Sequence, residues 1–170
     1  MTDTDSQRDR ALFGGDSELA RLCRDKDWSS TPLGDPATWP DTLGTVTRLV
    51  LDCRLPMTLG WGDQLIQIYN DGYKQSLGDK HPAALGRPVA EVYPEIEELI
   101  GPLLEEVQQS GVSVWREDMY LPIERHGTPE ERYYTFSYSP VRDANGEIVG
   151  LLSAAVDTTR QVRGQRRTAT

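Results

Sequence analysis

Apolar side chains recur at two different periods along this chain, and the switches between them divide it. In the first third the period is helical. Leu19, Leu22 and Cys23 fall on one face of a short helix that Asp16 or Ser17 can cap. Thr31-Pro32-Leu33-Gly34-Asp35-Pro36 then reads as a loop. Leu43, Val46, Leu49 and Val50 form the apolar face of a second helix, which starts near Trp39-Pro40 and ends before Pro56. From there the period drops to two. Leu55, Met57, Leu59 and Trp61 alternate, Gly62-Asp63 turns the chain, and residues 65–69 supply the second arm of a hairpin that Asn70-Asp71-Gly72 ends.

Residues 71–77 and 88–93 carry enough apolar content for short helical turns only. A stronger helix follows. Ile96, Leu99, Ile100, Leu103, Leu104 and Val107 share a face, Gly111 stops the helix, and Gly101-Pro102 predicts a kink or break inside it. The last third alternates again. Residues 114–123 put Trp115, Met119 and Leu121 on one side, and residues 133–139 put Tyr134, Phe136 and Tyr138 on one face. Asp143-Ala144-Asn145-Gly146 turns the chain into a strand over 148–156, and Asp157 caps a final polar helix. Five strands, with helices grouped between the second and third, make an α+β domain on a mostly antiparallel sheet. The middle helices can cover one face of it. The strands are expected to centre near Met57, Ile66, Glu117, Phe136 and Leu152.

A chain of 170 residues holds one ordinary domain with short extensions. Its polarity gathers at the two ends, and residues 1–12 are expected to be a disordered tail. A helical extension over 13–54 precedes a sheet core over 55–157, and 158–170 is the C-terminal helix or linker. Net charge is −9, which repels phosphate backbones and argues against nucleic acid as a partner. Arg160, Arg163, Arg166 and Arg167 read as a solvated helix face. No apolar run approaches a membrane span, so no membrane insertion is expected. Cys23 and Cys53 are too few for a disulfide scaffold, and the first ten residues carry no signal-peptide core. The expected compartment is the cytoplasm.

Candidate chemistry is thin. Ser137 and Ser139 lie on a strand without a nearby base, and Glu97-Glu98, Glu105-Glu106 and Glu130-Glu131 are adjacent acids on solvated faces. His81 sits in a polar loop, Lys80-His81-Pro82, and His126 in a solvated turn. Neither has a second histidine or a cysteine at ligand spacing, so no metal site is expected. The chain does not read as an enzyme. What stands out is a set of rings on or just after strands: Trp61, Tyr69, Tyr73, Trp115, Tyr134, Phe136 and Tyr138, with Asn70 beside them. They serve as plain core or as the lining of a pocket between sheet and helices. Rings on opposite faces of a strand cannot all line one cavity.

A longer ordered set of residues carries a resemblance. It runs through Phe13-Gly14-Gly15, Glu18-Leu19-Ala20, Asp27-Trp28, Thr31-Pro32-Leu33-Gly34, Trp39-Pro40, Pro56-Met57, Trp61-Gly62 and Tyr69-Asn70-Asp71. It continues with Gly78, Lys80-His81-Pro82, Leu85-Gly86, Glu130-Glu131, residues 134–140, Gly146, Gly150 and Asp157-Thr158-Thr159. This set resembles a PAS domain, of a subtype found at the N-terminus of bacterial and archaeal sensor histidine kinases. The resemblance implies a sheet of order 2-1-5-4-3 with helices on one face. It implies sensing or relay, with output through the C-terminal helix and with Asp157-Thr158-Thr159 joining core to helix. The partners it implies are a histidine kinase or other effector, in cis or in trans, and a second copy through the N-terminal helix. No kinase follows within the 170 residues, so either an excised sensor or a free-standing module is expected. Haem-binding members carry an axial histidine on the helix before the third strand, and residues 95–110 hold none. Flavin-binding light sensors carry a reactive cysteine after the second strand, whereas Cys53 precedes the first. No flavin or haem is expected, which leaves an unidentified small organic ligand. The alternative is an interaction or dimerisation module with no ligand.

Overall fold

A computed structural model describes residues 3–169. Its sheet contains β1 (Met57–Trp61), β2 (Ile66–Tyr69), β3 (Val114–Tyr120), β4 (Tyr133–Arg142) and β5 (Ile148–Asp157). The spatial order is β2-β1-β5-β4-β3, every neighbouring pair antiparallel, as the sequence predicts. The β1–β2 turn depends on Gly60, because a Cβ there would lie 2.9 Å from the Cβ of Leu65.

Register decides which side chains share a face. Gly60 opposes Gln67 and Leu151, Thr58 opposes Ser153, and Ser153 opposes Tyr138. These residues, with Phe136 and Tyr134, form an inner face. It is covered by α4 (Lys74–Leu77), α5 (Val89–Val92) and α6 (Glu97–Ser110). The outer face carries Leu59 and Ile68, which oppose each other and are fully buried. Against β1 and β2 lies α3 (Asp41–Asp52), and α2 (Glu18–Asp25) precedes it. Phe13 stacks on Trp28 at 6.1 Å, and Trp39 meets Trp28 edge-on at 5.2 Å, so the N-terminal extension has an aromatic core of its own.

One side chain joins the extension to the sheet. Asn70 Oδ1 accepts from Met57 N and Tyr73 N, each at 3.1 Å. Its Nδ2 donates to the carbonyls of Val50 at 3.1 Å, Cys53 at 2.9 Å and Leu55 at 2.7 Å. Next to it, Asp71 accepts from Glu18 N and Leu19 N, while Ser17 accepts from Ala20 N. Three N–H groups of the first turn of α2 are therefore satisfied by acidic or hydroxyl oxygens.

Several expectations are corrected here. The expected disordered tail forms α1 (Asp3–Leu12); of it, residues 1 and 2 lie outside the described residues. The segment lacks glycine and proline, Asp3 and Asp5 suit its N-terminus and Arg10 its C-terminus, and Arg48 donates to the Ala11 carbonyl. The buried stripe of α3 is Leu43, Thr47, Val50 and Leu51, and Leu49 is 55% exposed. The α6 helix runs through Pro102 without a break. Ile100 and Leu104, on either side of the proline, are both buried, and Pro102 itself faces solvent, where the carbonyl it frees can be hydrated. Leu99 on this helix is exposed. In β3 the alternation slips between Arg116 and Met119, with Asp118 at φ 48°. Trp115 therefore faces outward while Met119 joins the inner side. Leu19, Ala20 and Cys23 are buried within this one chain, so the α2 stripe is covered without a second subunit.

Replacing Asn70 with alanine should cost about 3 kcal/mol, since it strands several buried backbone groups at once. Urea unfolding measures this directly. A loss below about 1 kcal/mol would show that those groups find other partners.

Candidate functional site

Between the inner sheet face and α5–α6 lies a cavity of about 70 Å3. Thr58, Gly60, Gln67, Leu151 and Ser153 supply part of its wall, and Tyr134, Phe136 and Tyr138 from β4 another part. Tyr73, Tyr93, Ile96, Ile100, Leu104, Leu121 and Ile123 complete most of the rest. Of the rings singled out in the sequence, Tyr73, Tyr134, Phe136 and Tyr138 line the cavity. Trp61 and Trp115 do not, because strand alternation turns them to the outer face. Tyr69 is fully buried and engaged elsewhere, and Asn70 is spent on backbone groups.

The cavity wall is apolar with a few polar tips. Tyr73 and Tyr93 share a hydroxyl–hydroxyl hydrogen bond of 2.9 Å. Burial pushes the Tyr73 phenol up to about 12, and it pushes Tyr93, Tyr134 and Tyr138 up as well. These phenols stay protonated and act as hydrogen-bond groups. Gln67, Tyr93 and Ser153 were not singled out in the sequence. The signal for Gln67 was present: one polar residue within the otherwise apolar run Leu65-Ile66-Gln67-Ile68-Tyr69.

A second polar cluster ties α2 to β2. Tyr69 Oη lies 2.8 Å from His81 Nδ1, and His81 Nε2 lies 3.1 Å from Glu18 Oε1. A carboxylate only accepts, so Nε2 donates to Glu18, and a neutral ring then accepts from the Tyr69 hydroxyl at Nδ1. Lys74 pairs with the other Glu18 oxygen. His81 lies in the polar loop that the sequence predicts, and from there it bridges Glu18 and Tyr69. Cys23 nearby is buried, and desolvation pushes its thiol up to about 12.

The third element is the start of α7 (Thr159–Thr168). Thr158 N donates to Tyr133 O at 2.8 Å, and Tyr133 N donates to Thr159 Oγ1 at 3.0 Å. Asp157 Oδ1 accepts from Thr159 N at 2.9 Å, and its other oxygen accepts from Arg132 at 3.0 Å. The expected Asp157 cap is present, displaced by one residue: Thr158 holds the cap position and makes no side-chain cap bond. Arg166 lies over the Tyr133 ring at 5.1 Å and pairs with Glu131 at 3.2 Å. Tyr133 therefore holds α7 while Tyr134, the next residue, lines the cavity.

A five-stranded antiparallel sheet, helices on its inner face and a small interior space define the α+β architecture. A family model described as PAS fold matches residues 62–163, more than half of the chain. The chain belongs to the PAS fold family, a fold of sensory and signalling modules. Among solved structures, the PAS domain of Bordetella pertussis BvgS is similar at TM-score 0.56 and 20% identity, over 76% of this chain and 96% of that one. An RNA-binding light-oxygen-voltage receptor is similar at TM-score 0.54 and 20% identity, over 75% of this chain and 36% of the receptor. The phage VqmA–DPO complex is similar at TM-score 0.53 and 16% identity, over 74% of this chain and 56% of that one. At such identities the likeness shows the fold. Among the described residues, no helix is long and apolar enough to cross a membrane.

The Glu18 cluster has a pH consequence. Hydrogen bonds from Lys74 and then His81 hold the Glu18 carboxyl below its ordinary value of 4.5. A carboxyl depressed by folding contributes stability that is complete above the ordinary value and is lost as pH falls through the lowered one. Docking of α2 should therefore weaken on acidification below 4.5. Fluorescence of Trp28, which is buried beside α2, follows it. Glu18→Gln should remove this acid-side transition; identical titrations of the two proteins would exclude Glu18 as its source.

Proposed function

We propose that this chain is a sensory module that admits a small organic molecule to the interior cavity and relays its occupancy through α7 to an attached or bound effector. The adjacency of Tyr133 and Tyr134 carries this reading. An occupant that displaces Tyr134 must move β4, and the two bonds that start α7 are made by the preceding residue. A histidine kinase or other cytoplasmic effector, in cis or in trans, suits such an output.

The reading includes no catalysis and neither flavin nor haem. The ionisable groups lining the cavity are tyrosines held protonated, and no cysteine or histidine is among the residues that line it. Benzene alone occupies an engineered cavity of about 150 Å3, and this one is about 70 Å3. Asp157-Thr158-Thr159 is the proposed relay, with Tyr133 as its anchor.

Hydrogen exchange over 159–168 tests it. A small organic binder found by thermal-shift screening should change protection there, and Thr159→Val should abolish that response while leaving binding intact. Protection that ignores every binder would overturn the relay.

A second reading, a docking or dimerisation module, is favoured by one observation. Trp115 is 61% exposed and stands in a row across the outer face with Ser137, Ala154 and Met57. Sedimentation across a concentration series should show self-association that Trp115→Ser removes. A wild-type protein that stays monomeric throughout excludes a homodimer on this face.

A further inference from the structure

Gln67 is 2% exposed, and neither its Oε1 nor its Nε2 has a hydrogen-bond partner among the described residues. Leaving both ends of a buried amide unpaired destabilises the empty protein. Its strand neighbours Ile66 and Ile68 are apolar, and methionine or leucine would fill a similar volume without that cost. Gln67 lines the cavity opposite Gly60, over which the Leu65 side chain packs. Tyr73 and Tyr93 add a second polar point. Two hydroxyls that bond each other use one O–H proton and leave the other for an occupant.

The wall also limits charge. No lysine, arginine or histidine is among the residues lining the cavity, so a carboxylate entering it would lose its hydration without gaining a counter-ion. It limits size too. At about 70 Å3 the space is under half of an engineered cavity that takes benzene, which restricts an occupant to a few heavy atoms.

Granted the sensory reading above, we propose that the ligand is a short, neutral carboxamide held edge to edge by Gln67. The ligand N–H donates to Oε1, and Nε2–H donates to the ligand carbonyl. The same pair of bonds is unavailable to a carboxylate, which has no N–H to give. The short alkyl end faces the Ile96, Ile100 and Leu104 side. The unpaired amide is then a binding group kept at a cost in stability.

The test uses acetamide, acetate and xenon as probes, read by protein NMR and thermal melting. Acetamide should shift the Gln67 side-chain resonances and raise Tm, and acetate at neutral pH should do neither. Xenon should enter the cavity in wild type and in Gln67→Met alike, because it needs apolar wall only. Gln67→Met should raise Tm of the unliganded protein by about 5 °C and weaken acetamide at least about tenfold. Gln67→Leu gives the same comparison if the methionine variant does not fold, and the wild-type acetamide–acetate contrast needs no variant. If xenon enters and acetamide does not, water alone satisfies Gln67, and the carboxamide assignment falls while the cavity stands. Equal acetamide binding by wild type and variant overturns the assignment as well. If neither probe enters, the sensory reading falls with it.

Discussion

Hydrogen bonds to the carboxamide of Asn70 converge from three parts of the chain: the end of α3, the start of β1 and the turn after β2. An amide with two donors and two acceptor lone pairs is the side chain that can serve carbonyls and N–H groups together. Because Asn70 fixes where β2 stops, it fixes the phase of β2, and the phase decides that Gln67 faces inward and Ile68 outward. A one-residue slip would exchange them. Asp71 extends the same joint by capping α2, so the position of the N-terminal extension and the polarity of the cavity depend on one turn.

That joint explains why the cavity has fixed walls. The β1–β2 hairpin is braced on its outer side by α3 and along the free edge of β2 by the segment after α4, through backbone bonds between Gln67 and residues Gly86 and Arg87. Every residue of β2 is buried as a result. The β4 strand differs: it runs between β3 and β5, carries cavity rings on one side and continues directly into the bonds that hold α7. Of the two walls, β4 is the one whose movement has somewhere to go.

The sequence made the sheet readable because period two is hard to imitate. Tyr134, Phe136 and Tyr138 fall where alternation puts them, and Asp157 lies where a polar helix needs an acid. Failures came where a long-range contact overrode a local rule. Pro102 signals a break, yet Ile100 and Leu104 are both packed and the helix holds. The slip at Asp118 changes which face of β3 a residue occupies, and no residue type announces it. The bridging role of His81 was not legible because its partners lie outside its loop, Glu18 far away in sequence and Tyr69 on β2. Gln67 was legible as an exception to its run, but its unpaired state follows only from the packing around it.

The energetics of α7 bear on whether a cavity of this size can move it. A ten-residue helix is marginal by itself in water. Only Thr159 of α7 is buried, so tertiary packing contributes little. Its docking rests largely on polar contacts, among them the two bonds to the Tyr133 backbone, the Arg166 bond to the Tyr133 hydroxyl, the Arg163 bond to the Glu131 carbonyl, and ion pairs between exposed groups, which are typically worth under about 1 kcal/mol each. The docked and undocked states of α7 are then separated by only a few kcal/mol. A ligand shifts an equilibrium by its difference in affinity for the two states and by no more. In the proposed relay that difference must come from the β4 rings, Tyr134 among them, because Gln67 lies on the braced β2 wall and would hold an occupant alike in both states. Weak docking of α7 is the property that the proposed relay requires.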